Sequence, residues 1–214
     1  MNKENLQNII KYFEGRYKNP RPALTYGSNY QLLVAVILSA QCTDERVNKV
    51  TDVLFEKYPT PEKLITLTQE ELEKYIFSCG LYHSKATHIL QATADIINKF
   101  NGEVPSDYDK LLSLSGVGRK TANVVASVAF GLPAIAVDTH VFRVSNRIGL
   151  AKGDTPLKVE EGLKKRLPKS KWRDCHHYII FHGREVCKAR NPACASCEIS
   201  SYCDYYKKNL DKKI

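Results

Sequence analysis

Apolar residues recur along the chain at helical spacing, in short blocks cut by glycine, proline or asparagine. Leu6, Ile9, Ile10 and Phe13 stand at i, i+3, i+4 and i+7, which predicts an opening amphipathic helix that breaks at Pro20-Arg21-Pro22. The unbroken apolar run from Leu32 to Leu38 reads on through Ser39, Ala40 and Gln41 without a turn signal and predicts a buried helix. Val47, Val50, Thr51, Leu54 and Tyr58 keep the helical period up to Pro59. Leu72, Tyr75 and Ile76 keep it up to Gly80, and Ala86, Ile89, Leu90, Ile96, Ile97 and Phe100 up to Asn101-Gly102. Leu111, Leu112 and Leu114 form a short helical face, and a second helix is expected from near Gly118 through Val124, Val125, Val128 and Ala129 to Gly131. After Pro133 the segment Ala134 to Val137 is extended and apolar. Val137, Val141, Val144 and Ile148 then restart a helical face that Gly149 closes, with Asp138 where an N-cap belongs. No alternating segments pair as hairpins and no internal repeat is present, so the pattern predicts an all-α chain of about ten helices.

Composition narrows the class. Of 214 residues, 43% are hydrophobic and 26% charged, which excludes a disordered or fibrous chain and suits one or two globular domains. The longest apolar run is far short of the ~18 residues that a membrane helix needs, and the Met1-Asn2-Lys3-Glu4-Asn5 start leads into an amphipathic pattern rather than a signal peptide. The expectation is a cytoplasmic protein with no membrane partner. The net charge of +9 is uneven: residues 152 to 214 hold 15 Lys and Arg against 8 Asp and Glu, whereas residues 1 to 151 hold 17 against 15. Such an excess suits a polyanion, whose phosphates release counterions on neutralisation, and equally a solvated face.

Four of the seven cysteines, Cys187, Cys194, Cys197 and Cys203, fall within seventeen residues at Cys-x6-Cys-x2-Cys-x5-Cys spacing. In a reducing compartment such a cluster reads as a metal site rather than as disulfides. One close pair flanked by two single cysteines suits an iron–sulfur cube, and zinc stays open as the alternative. Cys42, Cys79 and Cys175 are isolated in sequence and read as packing residues.

Gly116-Val117-Gly118-Arg119-Lys120-Thr121 lies between two predicted helices. Paired glycines let a ligand approach the backbone, and the amides of the following helix would face a phosphate; a plain helix–helix turn is the alternative. The spacing is not that of a Walker A loop. Lys120 opens one helix and Asp138 the next, a pairing of a nucleophile with a carboxylate. At a pKa near 10.4 only about one lysine in 2,500 is the neutral amine at pH 7. Catalysis would therefore ask the helix dipole, Arg119 and partial burial to lower that value. A phosphate-contacting lysine and a capping aspartate are the plainer reading.

The segment Gly116 to Val125, the segment Ala136-Val137-Asp138-Thr139-His140-Val141-Phe142-Arg143-Val144, the stretch Leu38-Ser39-Ala40-Gln41-Cys42-Thr43-Asp44, Gly80-Leu81-Tyr82 and the four-cysteine tail together resemble the endonuclease III family of helix-hairpin-helix DNA glycosylases, from about Tyr30 to Cys203. The resemblance implies an all-α, two-domain fold: residues 22–132 as a helical-bundle domain with the hairpin, and residues 1–21 plus 133–214 as a helical domain with a C-terminal iron–sulfur loop. It implies a bifunctional glycosylase and abasic-site lyase that removes oxidised pyrimidines from duplex DNA and nicks the strand by β-elimination. It also favours a [4Fe-4S] cluster on Cys187, Cys194, Cys197 and Cys203, a monomer, and a cytoplasmic, nucleoid-associated location.

By the same resemblance Lys120 is the Schiff-base nucleophile and Asp138 its carboxylate partner. Gln41 and Leu81 fill the gap left by the extruded base. Gly116, Val117, Gly118 and Arg119 hold a phosphate, with Lys188 and Arg190 of the cluster loop as further backbone contacts. Asp44 and His140 are pocket candidates. One departure is Ser115, where many relatives carry proline, and a less rigid hairpin is the expectation there. The competing class is a non-catalytic DNA-binding or iron–sulfur electron-transfer module of the same fold, which would need neither Lys120 nor Asp138.

Overall fold

The computed structural model describes residues 1–18, 20 and 23–210. Among these the secondary structure is helical, with no strand. The chain divides into two compact units, one of Met1–Arg21 with Pro133–Ile214 and one of Pro22–Leu132.

The second unit is built on α2 (Asn29–Leu38), in which every residue from Leu32 to Leu38 is buried, because other helices cover it on all sides. Ser28 caps its start, its Oγ accepting from the Gln31 amide at 3.2 Å. Around it pack α3 (Asp44–Lys57), α6 (Tyr82–Phe100) and α8 (Arg119–Phe130), with α4 (Pro61–Leu64) and α5 (Gln69–Ile76) against α6 and α7 (Tyr108–Ser113) against α8. Leu54, Leu72, Ile76, Ile89, Ile96 and Leu111 complete the core. Each such side chain contributes roughly 1.5–3 kcal/mol by leaving water. A capping box at Thr68 and Glu71 starts α5, while α6 ends on Asn101 in the left-handed region.

The first unit joins α1 (Lys3–Arg16) to α9 (Thr139–Ile148), α10 (Pro156–Arg166), α11 (Trp172–Glu185) and α12 (Asp204–Leu210). Ile9 and Phe13 of α1 pack into a core with Val141, Val144, Ile148, Val159, Leu163 and Ile179. The Phe13 ring meets those of Tyr17, Tyr178 and His182 at centroid distances of 5.5–6.2 Å.

Four expectations are corrected. The helix read through Gln41 stops at Leu38, because Ser39 caps it and Gln41 turns into the left-handed region at φ 52°. Val137 belongs to the buried extended segment rather than to α9, which starts after the Asp138 cap. Twelve α-helices stand among the described residues rather than about ten; α4 is a single proline-started turn too short to show a period. The opening helix ends at Arg16, with its Tyr17 cap, ahead of Pro20; Arg21 and Pro22 of the expected break lie outside the described residues.

A glycine hairpin, two strained turns and a cysteine loop

The turn between α7 and α8 is fixed from both sides. Gly116 has φ 74°, and a Cβ placed on it would lie 2.8 Å from the His88 Cβ, so this position needs glycine twice over. Gly118 differs: its φ of −83° suits any residue and its Cβ direction is open space. Conformation alone does not require the missing side chain there. Val117 anchors the turn by burial. The departure at Ser115 does not loosen it, because Ser115 Oγ bonds His88 Nδ1 at 2.9 Å and Gln91 Oε1 at 2.7 Å, both on α6. No side chain caps α8 at Gly118, so its first amides stay open to an anion. Arg119 and Lys120 stand in that first turn, and Lys120 is exposed. The partial burial expected of Lys120 is absent.

Gln41 and Leu81 share an unusual backbone. Both are exposed and both lie in the left-handed region, Gln41 at φ 52° and Leu81 at φ 60°. An L side chain in that region costs on the order of 1 kcal/mol, and such strain concentrates at functional sites. Leu81 is also 60% exposed, an apolar side chain held out in water at the uncapped start of α6. The two turns touch: a Cβ on Gly80 would sit 3.4 Å from the Gln41 carbonyl oxygen. Beside them Cys79 is wholly buried and Cys42 half-buried, and burial pushes the Cys79 thiol up to about 11. Asp44 opens α3 beside the Thr43 cap.

Asp138 caps α9, its Oδ1 accepting from the Val141 amide at 2.7 Å. The extended segment before it is buried from Ala134 to Val137 and is bonded by His176, whose Nδ1 lies 2.9 Å from the Ala136 oxygen. His140 is half-buried and lies 3.1 Å through Nδ1 from Arg143 Nη2; burial first, then Arg143 and Arg184, lowers its pKa against the opposing Asp138 charge.

Cys187, Cys194, Cys197 and Cys203 line one small pocket with Ile148, His182 and Ile199. Burial pushes the thiols of Cys194, Cys197 and Cys203 up, so ionisation of these sulfurs is tied to a cation sharing the pocket. Among the described residues no three His, Cys, Asp or Glu side chains are gathered as ligands of one metal ion.

Two arginines that the sequence reading did not single out hold this loop. Arg143 donates from Nε to the Cys187 carbonyl at 3.1 Å and from Nη2 to the Gly183 carbonyl at 2.9 Å. Arg147, one turn on, donates to the Lys188 and Ala189 carbonyls at 2.7 and 3.0 Å and to Cys187 Sγ at 3.7 Å, with its guanidinium 4.7 Å from the Tyr205 ring centroid. The Arg147 carbonyl in turn accepts from Cys203 Sγ at 3.5 Å. Only their i, i+4 spacing on α9 was visible, and that reads equally as a solvated face. The side chains of Lys188 and Arg190 belong to exposed residues of the same loop. No helix among the described residues is long and apolar enough to cross a membrane.

Comparison with known proteins follows the same outline. Residues 34–169 match the HhH-GPD superfamily of base excision DNA repair proteins, and residues 187–203 match the iron–sulfur binding domain of endonuclease III. Endonuclease III of Rickettsia conorii is 52% identical over 92% of this chain and 94% of its own. That of Escherichia coli is 46% identical over 97% and 99%. Among solved structures, a trapped endonuclease III–DNA covalent intermediate superposes with a TM-score of 0.93 at 49% identity, covering 98% of this chain and 99% of that one.

Proposed function

Because the chain belongs to the endonuclease III family, within the HhH-GPD superfamily of base excision DNA repair proteins, it is a DNA glycosylase and abasic-site lyase, and we propose that it works through Lys120 on oxidised pyrimidines. The units Pro22–Leu132 and Met1–Arg21 with Pro133–Ile214 are its two domains, and it acts as a monomer on duplex DNA in the cytoplasm, at the nucleoid.

The target nucleotide leaves the stack, since its C1′ is unreachable within it. The neutral Lys120 amine attacks C1′; the glycosidic C–N bond breaks and the base departs with the bonding electrons, taking up a proton. The sugar ring opens to an iminium on Lys120. Loss of a C2′ proton then drives β-elimination, breaking the bond to the 3′ phosphate oxygen. Asp138 offsets the cationic charge at C1′ or receives the proton lost as the amine adds. Gly116, Val117, Gly118 and Arg119 seat a backbone phosphate on the open amides of α8. Gln41 offers an amide to the widowed base, and Leu81 wedges the step. Asp44 and His140 line the pocket, and Lys188 and Arg190 add phosphate contacts.

Cys187, Cys194, Cys197 and Cys203 hold a [4Fe-4S] cluster. Four cysteines around one pocket, one close pair flanked by two single residues, suit an iron–sulfur cube. Bound there, the cluster orders the basic loop between Cys187 and Cys203.

The observation that carries this reading is the placement of Lys120, exposed in the first turn of an uncapped helix directly after the Gly116 turn. Borohydride trapping on a duplex with one thymine glycol tests it. Wild type is expected to give a covalent protein–DNA adduct, and Lys120→Ala to bind the same duplex without one. An undiminished adduct in Lys120→Ala overturns the nucleophile assignment. No adduct from cluster-replete wild type, on either thymine glycol or an abasic site, favours the non-catalytic reading.

A further inference from the structure

We propose that Lys85 is a positioning residue for work on duplex DNA, a buried strut that sets the spacing between the turn of Gln41 and the turn of Leu81. Its ammonium donates from Nζ to the Leu38 carbonyl at 2.8 Å, and its backbone amide donates to the Leu81 carbonyl at 3.0 Å. One residue thus bonds the chain just ahead of the first turn and inside the second. The turns themselves touch, with the Gly80 Cβ position 3.4 Å from the Gln41 oxygen. Lys85 is 4% exposed, so the bond to Leu38 is shielded from water.

The end of α2 shows why a distant lysine is needed. A helix leaves its last four carbonyls to be met from beyond its own turns. Ala35 receives the Ser39 amide at 2.9 Å, Val36 the Ser39 hydroxyl at 2.8 Å and Ile37 the Ala40 amide at 3.4 Å. Leu38 would next take the Cys42 amide, but the left-handed turn at Gln41 sends that amide to the Ser39 carbonyl instead, at 3.2 Å. The Leu38 carbonyl is left to Lys85, and the carbonyl end of a helix dipole favours a cation there. The turn that presents Gln41 outward therefore opens the vacancy that the ammonium fills.

On the other side, Leu81 stands left-handed at the start of α6 with no side chain capping the helix. The Lys85 amide gives the Leu81 carbonyl the first bond of that helix. An apolar side chain of equal length would fill the same space without the cost of burying a charge. It would not fix Leu38 against Leu81. At 4% exposure Lys85 does not itself reach a phosphate, so its effect on DNA passes through Gln41 and Leu81.

The proposal rests on the reading that Gln41 and Leu81 enter the duplex, and the test separates the two. Single-turnover excision of thymine glycol from duplex is measured with the cluster-replete full chain. Beside it stands borohydride trapping on a single-stranded abasic oligonucleotide, which has no widowed base to meet and no step to wedge. Lys85→Met is expected to slow duplex excision by roughly ten- to a hundredfold, as a misplacement of about 1 Å does, and to leave single-strand trapping unchanged. Added to the double variant Gln41→Ala, Leu81→Ala, it should cause no further slowing, because the lysine acts through those two side chains. Lys85→Gln, a neutral donor on a shorter arm, should fall between Lys85→Met and wild type, and serves if Lys85→Met folds poorly. Equal losses on both substrates, or a further loss in the combined variant, overturn the positioning role alone. Full duplex excision by the double variant overturns the entry of Gln41 and Leu81 into DNA, and this proposal with it.

Discussion

Gly116 turns directly over the His88 side chain, with 2.8 Å between the place its Cβ would take and the His88 Cβ. Two glycines of one turn therefore do different work, and two substitutions separate them. Gly116→Ala meets both the clash and the φ of 74°, and is expected to destabilise the fold by roughly 1–3 kcal/mol in urea denaturation. Gly118→Ala has open space and an ordinary φ. Its stability should stay within about 0.5 kcal/mol of wild type, while its affinity for lesion duplex falls because the methyl group stands where a phosphate approaches. A Gly118→Ala variant that loses stability instead would show that the residue is there for the turn.

Leu81 sets stability against function. Leu81→Gly removes left-handed strain and an exposed apolar side chain, so the protein is expected to gain up to about 1 kcal/mol. Excision from duplex should drop several-fold as the wedge is lost. Thermal melting read beside cleavage of the same duplex checks both signs; a variant that is less stable and fully active contradicts the assignment.

Arg147→Met leaves the Lys188 and Ala189 carbonyls and Cys187 Sγ without their donor. Outer ligands of this kind typically change metal affinity by roughly 10–100-fold. Faster loss of iron to a chelator, followed by visible absorbance, is the expected result, and an unchanged rate would remove Arg147 from the support of the loop.

His177 ties stability to pH. It is buried, its Nε2 has no hydrogen-bond partner among the described residues, and burial, then His176 and Arg173, lowers its pKa from 6.5 to about 3. The unfolded chain thus takes up a proton that the folded chain refuses. Stability is full above pH 6.5 and falls as pH drops toward about 3, by up to ~1.4 kcal/mol per pH unit from this group. His177→Phe, which can keep the stacking on Phe181, should flatten denaturation midpoints between pH 6.5 and 4. A slope equal to that of wild type would place the sensitivity elsewhere.

Where the chain announces its own punctuation, the fold was readable. Gly131 and Gly149 end α8 and α9 in the left-handed region, Asp138 caps α9, and Asn101 closes α6, each in agreement with the local signal. The family and its all-helical fold were legible for a related reason: the hairpin, the Asp138 segment and the cysteine spacing are short runs whose order survives in sequence. What failed was non-local or strained. Gln41 and Leu81 adopt a glycine-like backbone without being glycine, so the helix read through Gln41 ran three residues too far. Arg143 and Arg147 find their partners about forty residues away, beyond any periodicity.

Arg147 grips the cysteine loop at both ends, through its side chain at Cys187 to Ala189 and through its carbonyl at Cys203. Closing a loop of seventeen residues costs on the order of 2.5 kcal/mol in chain entropy. Protein bonds share that cost with whatever the four cysteines hold, so the shape of the loop is written partly in a helix of the main body, and a change at Arg147 acts on the whole span from Cys187 to Cys203 at once.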